Sequence, residues 1–360
     1  MLFVAKAVLY LVFSLFIGTF ILYSISDKRR PPIHVSKKGL LLWIALIPVT
    51  AFSQVLELAL SLGKDFGFWP TLNDILFSFD IGKGWFFILA LSLLIFVMVY
   101  FNEVSKDRFL SRLSLGIGVV LIIAIGYTSH AASLNQWGGL FAHALHFLAV
   151  TGWTGTLLIV SWFSKDREKL SAFFKWFTPY ALICLLATIG GGIWLMNYIV
   201  PEYFNSWMID YGQALLIKHI LLIVVIFYAG INTIWVRKNL ADTSFAPYRW
   251  MRLEGIILLI IFAVTGFMTQ QEPPHDVSQT LAFQKPSKLF TAFVEDKVNI
   301  NSMVEIVPTM AGAGLLAVAL LLLAVSYFTI RRNVSVTVAL LLTLGAAVSF
   351  YLAVMFSVFI

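Results

Sequence analysis

The chain has 360 residues, of which 60% are hydrophobic and 12% are charged, and its formal net charge is +7. Its mean hydropathy is +0.91. Soluble domains carry about 25% charged residues, so this composition excludes a water-soluble globular protein and indicates an integral membrane protein. The single cysteine, Cys184, excludes an intramolecular disulfide and a thiolate metal cluster within the chain.

Ten apolar segments are long enough to cross a bilayer as helices, since about 20 apolar residues span its hydrocarbon core. The first segment is too long for a signal peptide, lacks an A-x-A cleavage site and has its basic flank on the C-terminal side. We therefore predict an all-α, polytopic transmembrane helical bundle of about 10 spans (8–10). The segments cover residues 2–25, 39–61, 84–102, 111–133, 140–163, 172–200, 213–236, 247–268, 303–330 and 333–358.

Basic residues alternate between the predicted loops. The odd-numbered loops hold 18 of the 25 lysines and arginines, whereas the even-numbered loops hold five. Because basic loops remain in the cytoplasm, this asymmetry predicts that both termini lie outside. It also explains the positive net charge without a nucleic acid, so we expect the lipid bilayer as the partner. The expected location is the cytoplasmic membrane of a bacterial cell, with several crossings.

The last outer loop, residues 269–302, is rich in acidic side chains. An acidic outer face would attract cations toward the membrane, although a solvated loop explains the same composition. The acidic residues in and beside this loop are Glu272, Asp276, Glu295, Asp296 and Glu305.

Five of the six histidines are predicted at or near the outer half of the membrane. His130 lies at the outer end of span 4, and His143 and His146 lie in the first two turns of span 5. Their i, i+3 spacing puts both rings on one helix face. His219 lies in span 7, and His275 lies in the last outer loop. An ionisable residue in an apolar span is costly and therefore indicates function.

Imidazole is a strong ligand for copper and zinc, and thioether suits Cu(I). With no thiolate cluster available, we predict a metal site of His130, His143 and His146, with His219, His275 and Met268 as further candidates. Met196 is another thioether within a span. The simpler interpretations are that each methionine packs in the core and that each histidine forms a hydrogen bond between helices.

Other polar residues within the spans have structural or ion-path interpretations. Lys218 is expected to snorkel outward or to pair with a carboxylate such as Glu57 or Asp210. Glu57, near the outer end of span 2, is also a candidate for a transient cation site. Three consecutive glycines, residues 190–192, predict a close helix approach and not a phosphate loop, because they lie inside a span.

Four motifs in order resemble those of the copper resistance protein D (CopD) family. GYTSHA at 126–131 is similar to the family's histidine before the loop, and HALHFLAVTGWTG at 143–155 is similar to its H-x-x-H…W-x-G helix. YGQALLIK at 211–218 is similar to its Y-G-x-x-L-x-x-K start, and residues 266–275 are similar to its closing segment. The resemblance divides the chain into N-terminal helices (1–110), a CopD-like core (111–280), and an outer loop with C-terminal helices (281–360).

The resemblance implies copper handling at the membrane, usually import, and not enzymatic catalysis. The ion would be Cu(I) or Cu(II), captured by the outer histidines. Larger family members add an extracellular copper-binding domain. The longest predicted outer loop here, about 34 residues, has no room for one, so a separate extracellular CopC-like protein is a candidate donor.

Two alternatives remain open from the residues. His130 or His143 together with His219 would suit bis-histidine ligation of haem b, which would make the protein a membrane cytochrome and leave its enzymatic status uncertain. A copper sensor or assembly factor would bind the ion without transporting it. The almost wholly apolar inner halves of spans 4 and 5 weaken the transport interpretation, because no complete polar path is visible.

Overall fold

The computed structural model describes residues 2–242, 245–294 and 298–360. Ten of its helices are long and apolar enough to cross a membrane. The predicted fold class, an all-α polytopic bundle, is confirmed, and the protein is a multi-pass membrane protein. Glu295 and Asp296 of the acidic outer loop lie outside the described residues.

The chain divides into two compact units, Met1–Ile199 and Val200–Ile360. The division predicted at residues 110 and 280, which followed motif coverage, stays a prediction. The first unit contains the helices α1 (Leu2–Ser24), α2 (Lys37–Phe66), α3 (Phe68–Phe77), α4 (Asp80–Phe101), α5 (Arg108–Tyr127), α6 (His130–Leu134), α7 (Gln136–Phe163) and α8 (Leu170–Ile199).

The second unit begins with a 3-10 turn, Asn205–Met208, followed by α9 (Asp210–Ile231), which continues as a π-helical turn over Asn232–Val236. Two two-residue strands, β1 (Glu305–Ile306) and β2 (Val358–Phe359), pair antiparallel beside its last helices. The remaining helices are α10 (Pro247–Met268), α11 (Val277–Phe283), α12 (Lys288–Thr291), α13 (Met310–Arg331) and α14 (Val336–Met355).

The predicted fourth span, 111–133, is divided into α5 and α6. The Ser129 hydroxyl donates to the Gly126 carbonyl at 2.7 Å and accepts from the Ala132 N–H at 3.3 Å. These local bonds offer the backbone an alternative to helix continuation. His130 is consequently the first residue of the short helix α6, directly after α5 ends at Tyr127, and does not belong to one continuous helix over 111–133.

Helix α7 is the central element of the first unit, where it packs against α1, α5 and α8. It is also the most buried of the ten long helices. Gly155 of α7 lies directly against the backbone of Ser14 in α1, and a side chain there would overlap that backbone. In a membrane no hydrophobic force drives helices together, so they associate by close packing. Small residues permit that close approach. Because α7 is packed on several sides, the backbone positions of the two histidines that it carries are fixed.

Candidate metal centre

His143 and His146 lie in the second and third turns of α7, which begins at Gln136. The Asn135 side chain caps the helix by accepting from the Gly138 N–H at 2.9 Å. Both histidines are half-buried, whereas His130 on α6 is exposed. The His143 ring lies 6.0 Å from the ring of Phe147, measured between centroids. The cap therefore sets where α7 begins, and with it the distance of both imidazoles from the N-terminal end of that helix.

His146 makes the clearest oriented contact among the predicted ligands. Its Nδ1 lies 2.8 Å from the backbone carbonyl oxygen of Thr188 in α8. A carbonyl can only accept, so Nδ1 carries the proton and, in the neutral ring, Nε2 carries the lone pair. A histidine that ligates a metal is oriented in the same way, with the other ring nitrogen donating to a carbonyl or carboxylate.

The three consecutive glycines of α8 explain how this contact forms. A Cβ built at Gly191 would lie 3.1 Å from the His146 backbone nitrogen, and one at Gly192 would lie 3.4 Å from the His146 ring. A Cβ at Gly190 would meet nothing within 4 Å. The glycine motif therefore serves close approach of α7 to α8, as the sequence predicted, and two of its three members face His146.

His219 lies in α9 of the second unit and contacts Tyr203, which precedes that helix. The Tyr203 hydroxyl is 2.8 Å from His219 Nδ1, and their ring centroids are 5.5 Å apart. Burial raises the pKa of Tyr203, with a smaller opposing effect of the neighbouring Trp207 side chain. The phenol therefore keeps its proton, and it can either donate to His219 or accept from it.

The remaining predicted ligands lie at the end of α10 and in the loop that follows. Met268 is the last residue of α10, and its side chain is buried. His275 is exposed, and the adjacent Asp276 caps α11 by accepting from the Gln279 N–H at 2.8 Å. Over residues 2–242, 245–294 and 298–360, no three His, Cys, Asp or Glu side chains form a group that could hold a metal ion. The three-histidine site therefore stays a prediction.

Glu57 forms an ion pair that the sequence did not indicate. Its Oε2 lies 3.3 Å from the Nζ of Lys6, and their side chains are 36% and 8% exposed. Asp210 is exposed at the first position of α9. In the described part of the chain, no ion pair involves Lys218. Lys6, and not Lys218, is thus the partner of Glu57.

A buried pair in the second unit was missed by the sequence analysis. The Asn232 amide donates to Glu254 Oε2 at 2.8 Å, and the two residues are 4% and 2% exposed. Asn232 opens the π-helical turn after α9, a local distortion frequent at functional sites. One feature of the sequence could have indicated this pair: Glu254 is an ionisable residue within the predicted span 247–268.

Comparison with known proteins relates a central segment of the chain to a family. Residues 171–268 match the sequence model described as Copper resistance protein D. The match supports a CopD-family assignment. It runs from α8 to the last residue of α10, so it contains Asp210, Lys218, His219 and Met268. The histidines of α6 and α7 precede the part that matches CopD.

A full-length comparison extends the similarity beyond that segment. The chain is 26% identical over 298 residues to the Copper transport protein CutJ of Bacillus subtilis (strain 168). The aligned part is 78% of this chain but 55% of that protein, so the chain spans about half the length of the relative it matches. No solved structure matches the chain.

Proposed function

We propose that the protein transports copper inward across the cytoplasmic membrane, with His143 and His146 of α7 in the outer uptake site. The CopD match and the name of the CutJ relative support copper as the ion. The positive-inside pattern supports the outer position of these histidines. A separate extracellular CopC-like protein remains our candidate for the donor of the ion.

The observation that carries this proposal is the orientation of His146. Its Nδ1–H donates to the Thr188 carbonyl, which leaves Nε2 as the coordinating atom of the neutral ring. The contact between α7 and α8 itself requires this tautomer, because a carbonyl can only accept a hydrogen bond. Copper coordination would in addition use the lone pair on Nε2, because a ligand nitrogen must have its lone pair available.

His130 is the further ligand that we propose in the first unit. His130 sits on a five-residue helix directly before α7, so rotation about its side-chain bonds changes the reach of its ring without altering a long helix. Copper bonds would offset the entropy of ordering that side chain, as metal binding commonly does. In the second unit, His219, which contacts Tyr203, Met268 and His275 stay predicted copper ligands.

Copper binding to the purified full-length protein tests the site. We expect His146→Ala and His143→Ala to lose affinity by about tenfold or more, by analogy with the loss of groups that support a metal site. His34→Ala is the matched control, because His34 is exposed and its structural contact, from its N–H to the Phe163 carbonyl, is made by the backbone. Unchanged copper stoichiometry and affinity in both α7 variants would refute the site.

Uptake into proteoliposomes tests transport separately from binding. Wild-type protein should accumulate copper inside vesicles in which its outer face is exposed, and His146→Ala should not. Binding without uptake would favour a sensor or assembly factor. A Soret band in the purified protein, with haem at one equivalent, would instead favour the cytochrome interpretation.

A further inference from the structure

A polar cavity lies in the first unit where α1 and α4 end and α5 begins. Its volume is about 800 Å³. Positively charged loops flank this end of the helices, so it is the predicted cytoplasmic face. The cavity is lined by Tyr23, Asp27, Arg30, Asn102, Glu103, Ser105, Lys106, Asp107, Arg108 and Leu110.

Arg30 is the unusual member of this lining, because its side chain is only 10% exposed. The guanidinium lies over the ring of Tyr23, 5.5 Å from its centroid, and an Nη atom contacts Asp27. Its Nε is shielded from solvent and has no hydrogen-bond partner among the described residues. A buried charged donor without an acceptor is costly, so an additional acceptor at this group would stabilise it.

Two guanidinium groups share one carboxylate beside the cavity. Arg108 shares the Asp27 carboxylate with Arg30, at 3.7 Å from its second oxygen. The pKa of the Arg30 guanidinium is lowered, chiefly by burial and to a smaller extent by the Arg108 charge. Asp27 and Tyr23 oppose this shift. One carboxylate therefore faces two guanidinium groups, with Lys106 as a third cation in the lining.

The other two acids of the lining have cationic or backbone partners of their own. Glu103 pairs with Lys37 at 3.4 Å. Asp107 caps α5 by accepting from the N–H groups of Phe109 and Leu110 at 2.8 and 3.1 Å. Both acids therefore have partners other than Arg30 and Arg108.

We propose that this cavity binds a phosphate group, supplied by an anionic phospholipid headgroup or by a soluble phosphate ion. Arginine matches phosphate geometry with two parallel N–H donors. Basic cavities between helices on the cytoplasmic side suit anionic headgroups. A rotation of the guanidinium would turn Nε toward the cavity, where a phosphate oxygen would provide its acceptor.

The test measures binding to the purified, delipidated full-length protein by native mass spectrometry. Phosphatidylglycerol, phosphatidylcholine and inorganic phosphate are the three probes. We expect one bound phosphatidylglycerol, with Arg108→Gln weakening binding by roughly fivefold or more, since one basic residue near a lipid surface contributes about that factor. Arg112→Gln is the matched control, because Arg112 lies one turn along α5, is exposed and does not line the cavity.

Arg30→Lys adds a second variant that retains the charge but lacks the paired donors. It should weaken binding as Arg108→Gln does. Two outcomes distinguish the sources. If inorganic phosphate binds with the same dependence on Arg30 and Arg108, the proposal holds with a soluble source. If phosphate does not displace bound phosphatidylglycerol, the lipid is the source. Equal binding of every probe to wild type, Arg108→Gln and Arg30→Lys would overturn the proposal.

Discussion

At the scale of single residues, a hydrogen bond determines which nitrogen of His146 is available to a metal. The Thr188 carbonyl holds the proton on Nδ1, so a second proton would have to add to Nε2, the atom proposed to bind copper. Copper and that proton therefore compete for one lone pair. This competition gives the proposed site a definite dependence on pH.

We predict that copper affinity falls as pH decreases, because a ligand histidine must be neutral. Copper has to displace any proton that occupies the ligand nitrogen, so protonation of each histidine ligand lowers affinity by up to about tenfold per pH unit. Copper titrations at pH 5.5 and 7.5 measure the effect. The dependence should be smaller in His146→Ala and unchanged in His34→Ala; a pH-independent affinity in wild type would contradict the prediction.

The ion pair of Lys6 and Glu57 gives a second prediction, because its two members differ in burial. Lys6 is 8% exposed and Glu57 is 36% exposed. Glu57→Gln leaves a buried lysine without its carboxylate and should destabilise the protein by about 3 kcal/mol, the lower end for a broken buried pair. Lys6→Met leaves Glu57, the more exposed member, without its partner and should cost less than Glu57→Gln does.

Thermal or denaturant unfolding in detergent measures these differences. The double variant Lys6→Met/Glu57→Gln should be more stable than Glu57→Gln alone, because it removes the buried charge as well as its partner. Equal losses in the two single variants, with additive loss in the double variant, would show that the pair is not coupled.

At the scale of elements, the packing of α7 against α8 depends on which helical face carries glycine. Gly191 and Gly192 contact His146, whereas Gly190 faces open space. Carbon atoms in van der Waals contact lie about 3.5–4.0 Å apart, so the 3.1 Å separation expected at Gly191 requires the helices to move apart. That movement would also lengthen the bond from His146 to Thr188.

We predict that Gly191→Ala destabilises the protein by about 1–3 kcal/mol, the usual cost of overpacking, and weakens copper binding. Gly190→Ala changes the same residue type one position earlier and should be neutral or slightly stabilising, since alanine favours a helix over glycine by about 1 kcal/mol. Melting temperature and copper affinity of the two variants provide the comparison. Identical behaviour of both variants would mean that the helix contact does not position His146.

Another element-scale feature is the π-helical turn that ends α9. It displaces Asn232 from the regular helical repeat and joins it to Glu254 of α10. The amide thus satisfies one oxygen of a carboxylate that would be costly inside an apolar helix pair. The pair connects α9 to α10 within the second unit.

At the scale of the whole molecule, the number of spans and the distribution of basic loops determine orientation. If all ten long apolar helices cross a membrane, their even number predicts that both termini lie on one side. With 18 basic residues in odd loops and five in even loops, that side is expected to be the outside. The outer position of His143 and His146 depends directly on this topology.

Single-cysteine labelling tests the orientation in a background in which the buried Cys184 is replaced by alanine. A membrane-impermeant thiol reagent should modify Asn135→Cys in intact cells and Lys165→Cys only after permeabilisation. Both positions are exposed and flank α7 at its opposite ends. Modification of Lys165→Cys from outside would invert the topology and move the proposed uptake site to the cytoplasmic face.

The sequence by itself determined the bundle of about ten spans and its expected orientation, because apolar length and basic-loop charge are local properties that each segment carries. It also indicated the residues 190–192 as a place of close approach. Only the tertiary structure decided that Gly191 faces His146 while Gly190 does not, that Lys6 is the partner of Glu57, and that Asn232 meets Glu254. These contacts join different helices, and their partners depend on helix rotation and packing, which spacing along one chain segment does not specify. The helix break at Ser129 lies between these two cases. Its hydroxyl hydrogen bonds are local, but the surrounding apolar run predicts a continuous span.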